Sequence, residues 1–255
     1  MNFNWAFFFH YLLEPSSIYL HGLWLTLSIS IVAQIVGTTL GLFVALGRLS
    51  SWRVLQALTS FYVWVMRGTP LLVQIVFIYT ALAAAGILRF HDIDLGFMVL
   101  PGNVQAGIIA LSLNEAAYMG EIIRAGITSI DRGQTEAAKS LGMTPAKLLR
   151  RIILPQAARI IIPPLGNNFN GMLKSTTLLS VIGVPELLLA TQMVTSATFR
   201  VFELYSVVAL YYLSLTTLWG LLQRYIEARF STPFAETRSK VPRRRLLTSL
   251  FGASP

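Results

Sequence analysis

The chain has 255 residues, 55% of them apolar and 12% charged, against about 25% charged in an ordinary soluble domain; it reads as an integral membrane protein, not a soluble fold. There is no cysteine, and the three histidines, His10, His21 and His91, are scattered, which excludes disulfides, thiolate nucleophiles and cysteine or histidine metal centres. The net charge of +9 does not imply nucleic acid: seven of the 20 lysines and arginines lie between Arg124 and Arg159 and seven more between Arg224 and Arg245, a sorting that membrane sidedness explains.

Residues 1–17 are aromatic, lack the basic residues of a secretory leader and lose their apolar run at Glu14 and Pro15. They are expected to form an interfacial segment on the outer side and not a cleaved leader. From Gly22 to Leu46 the sequence is uncharged, roughly 37 Å of helix at ~1.5 Å per residue, enough to cross a hydrocarbon core of ~30 Å. Gly37 and Gly41 stand four residues apart in this first span, on a face suited to close approach of another helix. Arg48, Arg53 and Arg67 follow, which places this side in the cytoplasm and the amino terminus outside. Arg67 reads as an anchor at the cytoplasmic interface, with a functional contact as the alternative. Pro70 disfavours helical geometry at Thr69, so the second span is expected to run outward from about Pro70. RFHDIDLGFMVLPGN, with one arginine against Asp92 and Asp94, is then an external loop.

The third span, Val104 to about Ile123, carries the most unusual residues. A carboxylate such as Glu115 near the bilayer centre costs on the order of 3 kcal/mol or more if it faces lipid, so it must face protein, water or substrate. Asn114, Tyr118 and Glu121 share one helix stripe, with Glu115 about 100° round from Asn114. The fourth span, Ile160 to about Leu179, contains Pro163, Pro164, Asn167, Asn168, Asn170 and Lys174. It is expected to be broken and buried, because two prolines remove two backbone donors. SVIGVPELL reads as a turn and a short helix at outer depth, and a fifth span runs from about Tyr205 to Ile226. The basic tail, residues 231–255, reads as disordered. Its Arg243, Arg244 and Arg245 are a topology signal or a contact for anionic lipid.

Between the third and fourth spans lies EAAKSLGMTPAKLLRRIILP, Glu136 to Pro155. Glu136, Ala137 and Ala138 open a run of helix formers, and Gly142 stops it as a residue that tolerates positive φ. A second helix is expected to start at Thr144 and Pro145, with threonine as cap and proline where no hydrogen bond is lost. Lys147, Arg150 and Arg151 keep the segment cytoplasmic, and Leu154 with Pro155 marks re-entry into apolar sequence. The spacing Glu136, Ala137, Ala138, Gly142, Ile152, Leu154, Pro155 resembles the signature loop of the permease subunits of ATP-binding-cassette importers. RGTPLLVQ at Arg67 to Gln74, LNEAAYMGEIIRAGI at Leu113 to Ile127, LPQAARIIIPPLGNNF at Leu154 to Phe169 and SVIGVPEL at Ser180 to Leu187 look like the polar amino-acid branch of that family. The resemblance covers roughly Ile18 to Phe230.

The resemblance implies an all-α integral membrane protein of five transmembrane helices, with residues 18–230 as a permease domain of the type I importer kind and residues 131–155 as its cytoplasmic coupling loop. In the family that loop sits in a groove of the ATP-hydrolysing subunit, so Glu136, Ala137, Ala138, Gly142, Leu154 and Pro155 are the expected ATPase-coupling residues. The implied partners are two ATPase subunits, a second permease chain, identical or homologous, and a solute-binding protein outside the cell. The implied setting is a prokaryotic inner membrane with the carboxyl terminus in the cytoplasm. The chain itself offers no catalytic constellation, since its inward carboxylates lack histidine, serine or metal partners. Nor does it hold a glycine-rich run ending in Gly-Lys-Ser/Thr, so ATP and magnesium are expected on the partner ATPase. Asn114, Glu115, Tyr118, Glu121, Asn167 and Asn170, joined by Asn168 and Lys174, are candidates for an amino-acid site, or else hydrogen-bond helices to one another. Glu121 with Arg124 three residues on reads as an interfacial ion pair or inner gate. A proton-coupled transporter or channel, and a scaffold that moves nothing, are the alternatives from other classes.

Overall fold

Long apolar runs can satisfy their backbone in lipid only within helices or closed barrels, and helices carry almost all of the chain in the computed structural model, which describes residues 3–96 and 98–230. The tail at 231–255, with Arg243, Arg244 and Arg245, lies outside the described residues. Helix α1, Trp5–Leu13, is capped by the Asn4 side chain, which accepts from the Phe7 amide. The Asn4 amide in turn donates to Glu203 Oε1 (3.0 Å), and Tyr211 Oη donates to the Leu12 carbonyl (3.1 Å). Both partners stand on the last helix, α11, Val201–Phe230, so α1 is strapped along it.

The central pair is α2, Ser17–Leu49, and α6, Gly102–Thr128. A Cβ on Gly41 would come within 2.7 Å of the Met119 Cβ, and one on Gly120 within 2.7 Å of Val44 Cγ1. The close face expected around Gly37 and Gly41 is therefore real, and α6 is what it meets. Helix α9, Leu154–Ser175, and its extension as a 3₁₀ helix, Thr176–Ile182, pack on this pair. After Gly183, whose φ is +78°, Glu186 caps α10, Leu187–Thr198, by accepting from the Leu188 and Leu189 amides at 2.9 Å. SVIGVPELL is thus a turn leading into a helix.

Three elements depart from the sequence expectation. The segment Leu71–Ala84 starts just after Pro70, as expected, but an unforeseen helix α3, Arg53–Gly68, precedes it, bent by 108° from it. That segment is α4, Leu71–Val76, a π turn at Phe77–Ala81, and α5, Leu82–Ala84. Its break is stitched by Gln74, whose Nε2 donates to the Met66 and Thr69 carbonyls (2.8 and 3.1 Å). The fourth span is not broken at Pro163 and Pro164, which lie inside α9. Helix α11 supports it there, with Trp219 Nε1 donating to the Gly166 carbonyl (2.8 Å) and Gln223 Nε2 to that of Pro163 (3.3 Å). The external loop also holds a small antiparallel hairpin, β1, Ile93–Asp94, on β2, Val99–Leu100.

Among the described residues α2 and α11 are each long and apolar enough to cross a membrane, and two bent pairs, α3 with Leu71–Ala84 and Pro145–Ile182 with α10, make up to two more. The 27 residues of α6 reach about 40 Å, also enough to cross. Their asparagine, glutamates and arginine make α6 too polar to face lipid by composition, and it is the most enclosed helix, buried at fourteen positions including Glu115.

Candidate functional site

The polar residues of α6 and α9 converge on a cavity of about 380 Å³. From α6 it is lined by Asn114, Glu115 and Tyr118, from α9 by Asn167 and Asn168, and from the α3–α4 break by Thr69 and Pro70. Glu115 is 6% exposed. Its Oε1 accepts from Gln34 Nε2 (3.0 Å) on α2 and Asn168 Nδ2 (3.2 Å) on α9, while Oε2 makes no hydrogen bond among the described residues. Gly37 lies under its stem. The result is a carboxylate held from one side by two amides, with its second oxygen left for whatever occupies the cavity. Asn114 is tied differently: its Nδ2 donates to Gln74 Oε1 (3.0 Å) and the Met66 carbonyl (3.2 Å). It therefore locks the α3–α4 break to the middle of α6.

Of the six residues expected at an amino-acid site, Asn114, Glu115, Tyr118 and Asn167 line this cavity; Glu121 and Asn170 do not. Glu121 lies nearly two turns nearer the carboxyl-terminal end of α6, paired with Arg124 (Nη2 to Oε2, 3.0 Å) and with Arg48 of α2. Asn170 is turned away, its Oδ1 buried without a hydrogen-bond partner among the described residues. Lys174 is exposed. Sequence reasoning missed Gln34, an amide in an otherwise apolar span whose polarity was the only signal, and the contribution of Thr69, Gly171 and Ser175 to the wall. The Arg67 guanidinium lies over the Tyr118 ring, 5.1 Å from the centroid, and the carbonyl of the preceding Met66 is bound by Asn114, which sets Arg67 against a residue of the cavity wall.

The second constellation is the loop that follows the carboxyl-terminal end of α6. Helix α7, Arg132–Ser140, starts four residues before Glu136 because Asp131 caps it, its Oδ1 accepting from the Gly133 amide (2.6 Å). The helix ends as a glycine stop requires. Gly142 has φ +71°, its amide donates to the Lys139 carbonyl (2.9 Å), and the Met143 amide donates to that of Ala138 (3.1 Å). Thr144 then caps α8, Pro145–Leu148, accepting from the Lys147 amide (3.4 Å). A π turn at Leu149–Ile153 joins α8 to α9, a wider turn at the point where Pro155 supplies no amide hydrogen. Glu136 and Ala137 are exposed and Ala138 is buried, so the segment presents Glu136 and Ala137 on a solvent face. Lys147, Arg150 and Arg151 border a groove beside it.

Residues 37–232 match the family described as "Binding-protein-dependent transport system inner membrane component". The chain is 38% identical over 223 residues to a probable glutamine ABC transporter permease protein of Bacillus subtilis, covering 88% of this chain and 98% of that one. It is 40% identical over 210 residues to an arginine transport system permease protein of Corynebacterium glutamicum, covering 80% of this chain but 66% of that longer relative, a little under two thirds of its length. Among solved structures it resembles a chain of an amino acid ABC transporter crystallised with histidines, at 39% identity and a TM-score of 0.78, over 90% of this chain and 100% of that one.

Proposed function

Because the chain belongs to the binding-protein-dependent transport system inner membrane component family, we propose that it forms half of a membrane pathway for a polar amino acid. It is a permease subunit of an amino-acid ABC importer and not an enzyme; ATP hydrolysis lies on a separate subunit. The proposal extends to two ATPases carrying ATP and magnesium, a second permease, identical or homologous, and a solute-binding protein that delivers ligand outside. It extends also to five crossings in an inner membrane, with α6 shielded by its neighbours and the amino terminus outside.

The observation that carries the substrate reading is the Glu115 carboxylate, buried at mid-membrane with one oxygen anchored and the other free in a cavity. Relatives are named for arginine and glutamine, and a solved relative holds histidines. All three ligands carry an ammonium that Glu115 is placed to accept, while the side-chain amide of Asn167 offers a polar partner in the cavity wall. Closure of the ATPases pushes on α7, and because α9 follows the same loop through a π turn, movement of α7 reaches the cavity wall. For ATP to drive the change, the contact of α7 with the ATPase must differ between the inward-open and outward-open states. Proteoliposomes holding the complete transporter test the site: Glu115→Gln is expected to lower ATP-driven uptake at least tenfold with delivery by the binding protein unchanged. Unaltered uptake and selectivity, or uptake driven by a proton gradient without ATPase, rejects it.

A further inference from the structure

The mechanism above leaves one charge beside the cavity without a task. Arg67 is exposed and joins none of the ion pairs among the described residues, whereas Arg48 and Arg124 share Glu121. The carbonyl of the residue before it, Met66, is held by Asn114 near the midpoint of α6, and the guanidinium also lies within electrostatic reach of Arg48. An unpaired guanidinium needs a polar partner or water and not lipid. Tyr118, whose ring it overlies, lines the same cavity as Glu115. Stacking on an aromatic face fixes the guanidinium plane while leaving its edge donors free, and that edge is the fork that matches a carboxylate with two parallel hydrogen bonds.

We infer that Arg67 binds the α-carboxylate of the transported amino acid, so that Arg67 and Glu115 form the two poles of a zwitterion site; this rests on the cavity being the substrate site. The α3–α4 bend then has a purpose. It carries an arginine up to the cavity wall, and Gln74 and Asn114 hold the broken backbone so that the guanidinium arrives at a fixed place. The site discriminates against molecules that keep the ammonium and lack the acid.

The test is equilibrium binding to the ATPase–permease complex in lipid nanodiscs, without binding protein, using polar L-amino acids and their α-amides, which lack the carboxylate charge. The unmodified complex is expected to bind its preferred acid about tenfold or more tighter than the matching amide, as loss of a charge-assisted pair implies. Arg67→Gln is expected to abolish that ratio by weakening the acid alone, and Arg67→Lys, which keeps the charge and loses the fork, to retain part of it. An unchanged ratio in Arg67→Gln overturns the inference and leaves the cavity reading standing, as does equal weakening of acid and amide, which marks a structural role. If the unmodified complex binds no amino acid, the cavity reading itself fails and this inference with it. Should Arg67→Gln not assemble, the ratio in Arg67→Lys decides.

Discussion

A Cβ atom on Gly37 would sit 2.7 Å from the Cβ of Glu115 and 2.8 Å from its Cγ. Both are near the backbone, where a side chain has no freedom to swing aside, so Gly37→Ala must separate α2 from α6. Overpacking of that kind costs about 1–3 kcal/mol, and it also moves the carboxylate away from Gln34 on the same helix as Gly37. The melting temperature of the purified chain and the uptake rate are both expected to fall. Gly220 in α11 is the contrasting case, with no neighbour within 4 Å of where a Cβ would stand. Gly220→Ala gains helix propensity of roughly 1 kcal/mol and is expected to raise the melting temperature; if both variants shift it the same way, the close packing is not what governs Gly37. The spacing of Gly37 and Gly41 announced a close face in the sequence, since only glycine permits such approach at that interval. Gln34 announced nothing specific, because its partner is 81 positions away and only the fold brings them together.

At the scale of elements, α7 stands as a lever because its end is fixed by one backbone conformation. Nothing lies within 4 Å of a Cβ built on Gly142, while its φ is +71°, so a substitution there is opposed by the backbone and not by crowding. Valine, branched at Cβ, is strongly disfavoured in that region, whereas asparagine tolerates it. Gly142→Val is therefore expected to uncouple ligand-stimulated ATP hydrolysis from uptake with the protein still inserted, and Gly142→Asn to keep most of the coupling. Normal uptake by the valine variant in proteoliposomes removes the lever role. This stop was legible because local chemistry alone dictates it. The start at Arg132 was not, since Asp131 caps the helix five residues upstream of the patterned run. Helix α3 was missed for a different reason: Arg53 and Arg67 stand at its two ends, and a rule that reads such arginines as marks of one cytoplasmic stretch conceals the helix between them. Pro163 and Pro164 misled in the opposite direction, for the support from Trp219 and Gln223 comes from α11, more than fifty residues on.

For the whole molecule, many of the cations gather at one end of the helices. Arg48, Arg53, Arg124, Arg132 and Lys147 cluster where α2 ends, α3 begins and α6 gives way to α7, while Asp92 and Asp94 mark the hairpin at the other end of α6. Positive loops stay in the cytoplasm, so the hairpin is expected to face outward and the link between α2 and α3 inward. The composition makes this directly measurable: with no cysteine in the chain, a single introduced thiol reports its own side of the membrane against no background. Leu95 in the hairpin and Ser51 in the α2–α3 link are both exposed, and neither lies in the cavity wall or in α7. In intact cells Leu95→Cys is expected to react with a membrane-impermeant maleimide, and Ser51→Cys only after the membrane is opened. The reverse pattern would place α7 and Gly142 outside, beyond reach of any ATPase. Labelling of both in intact cells would mean that the chain does not hold one orientation, and the same arginines that fix the loop's position would then need another explanation.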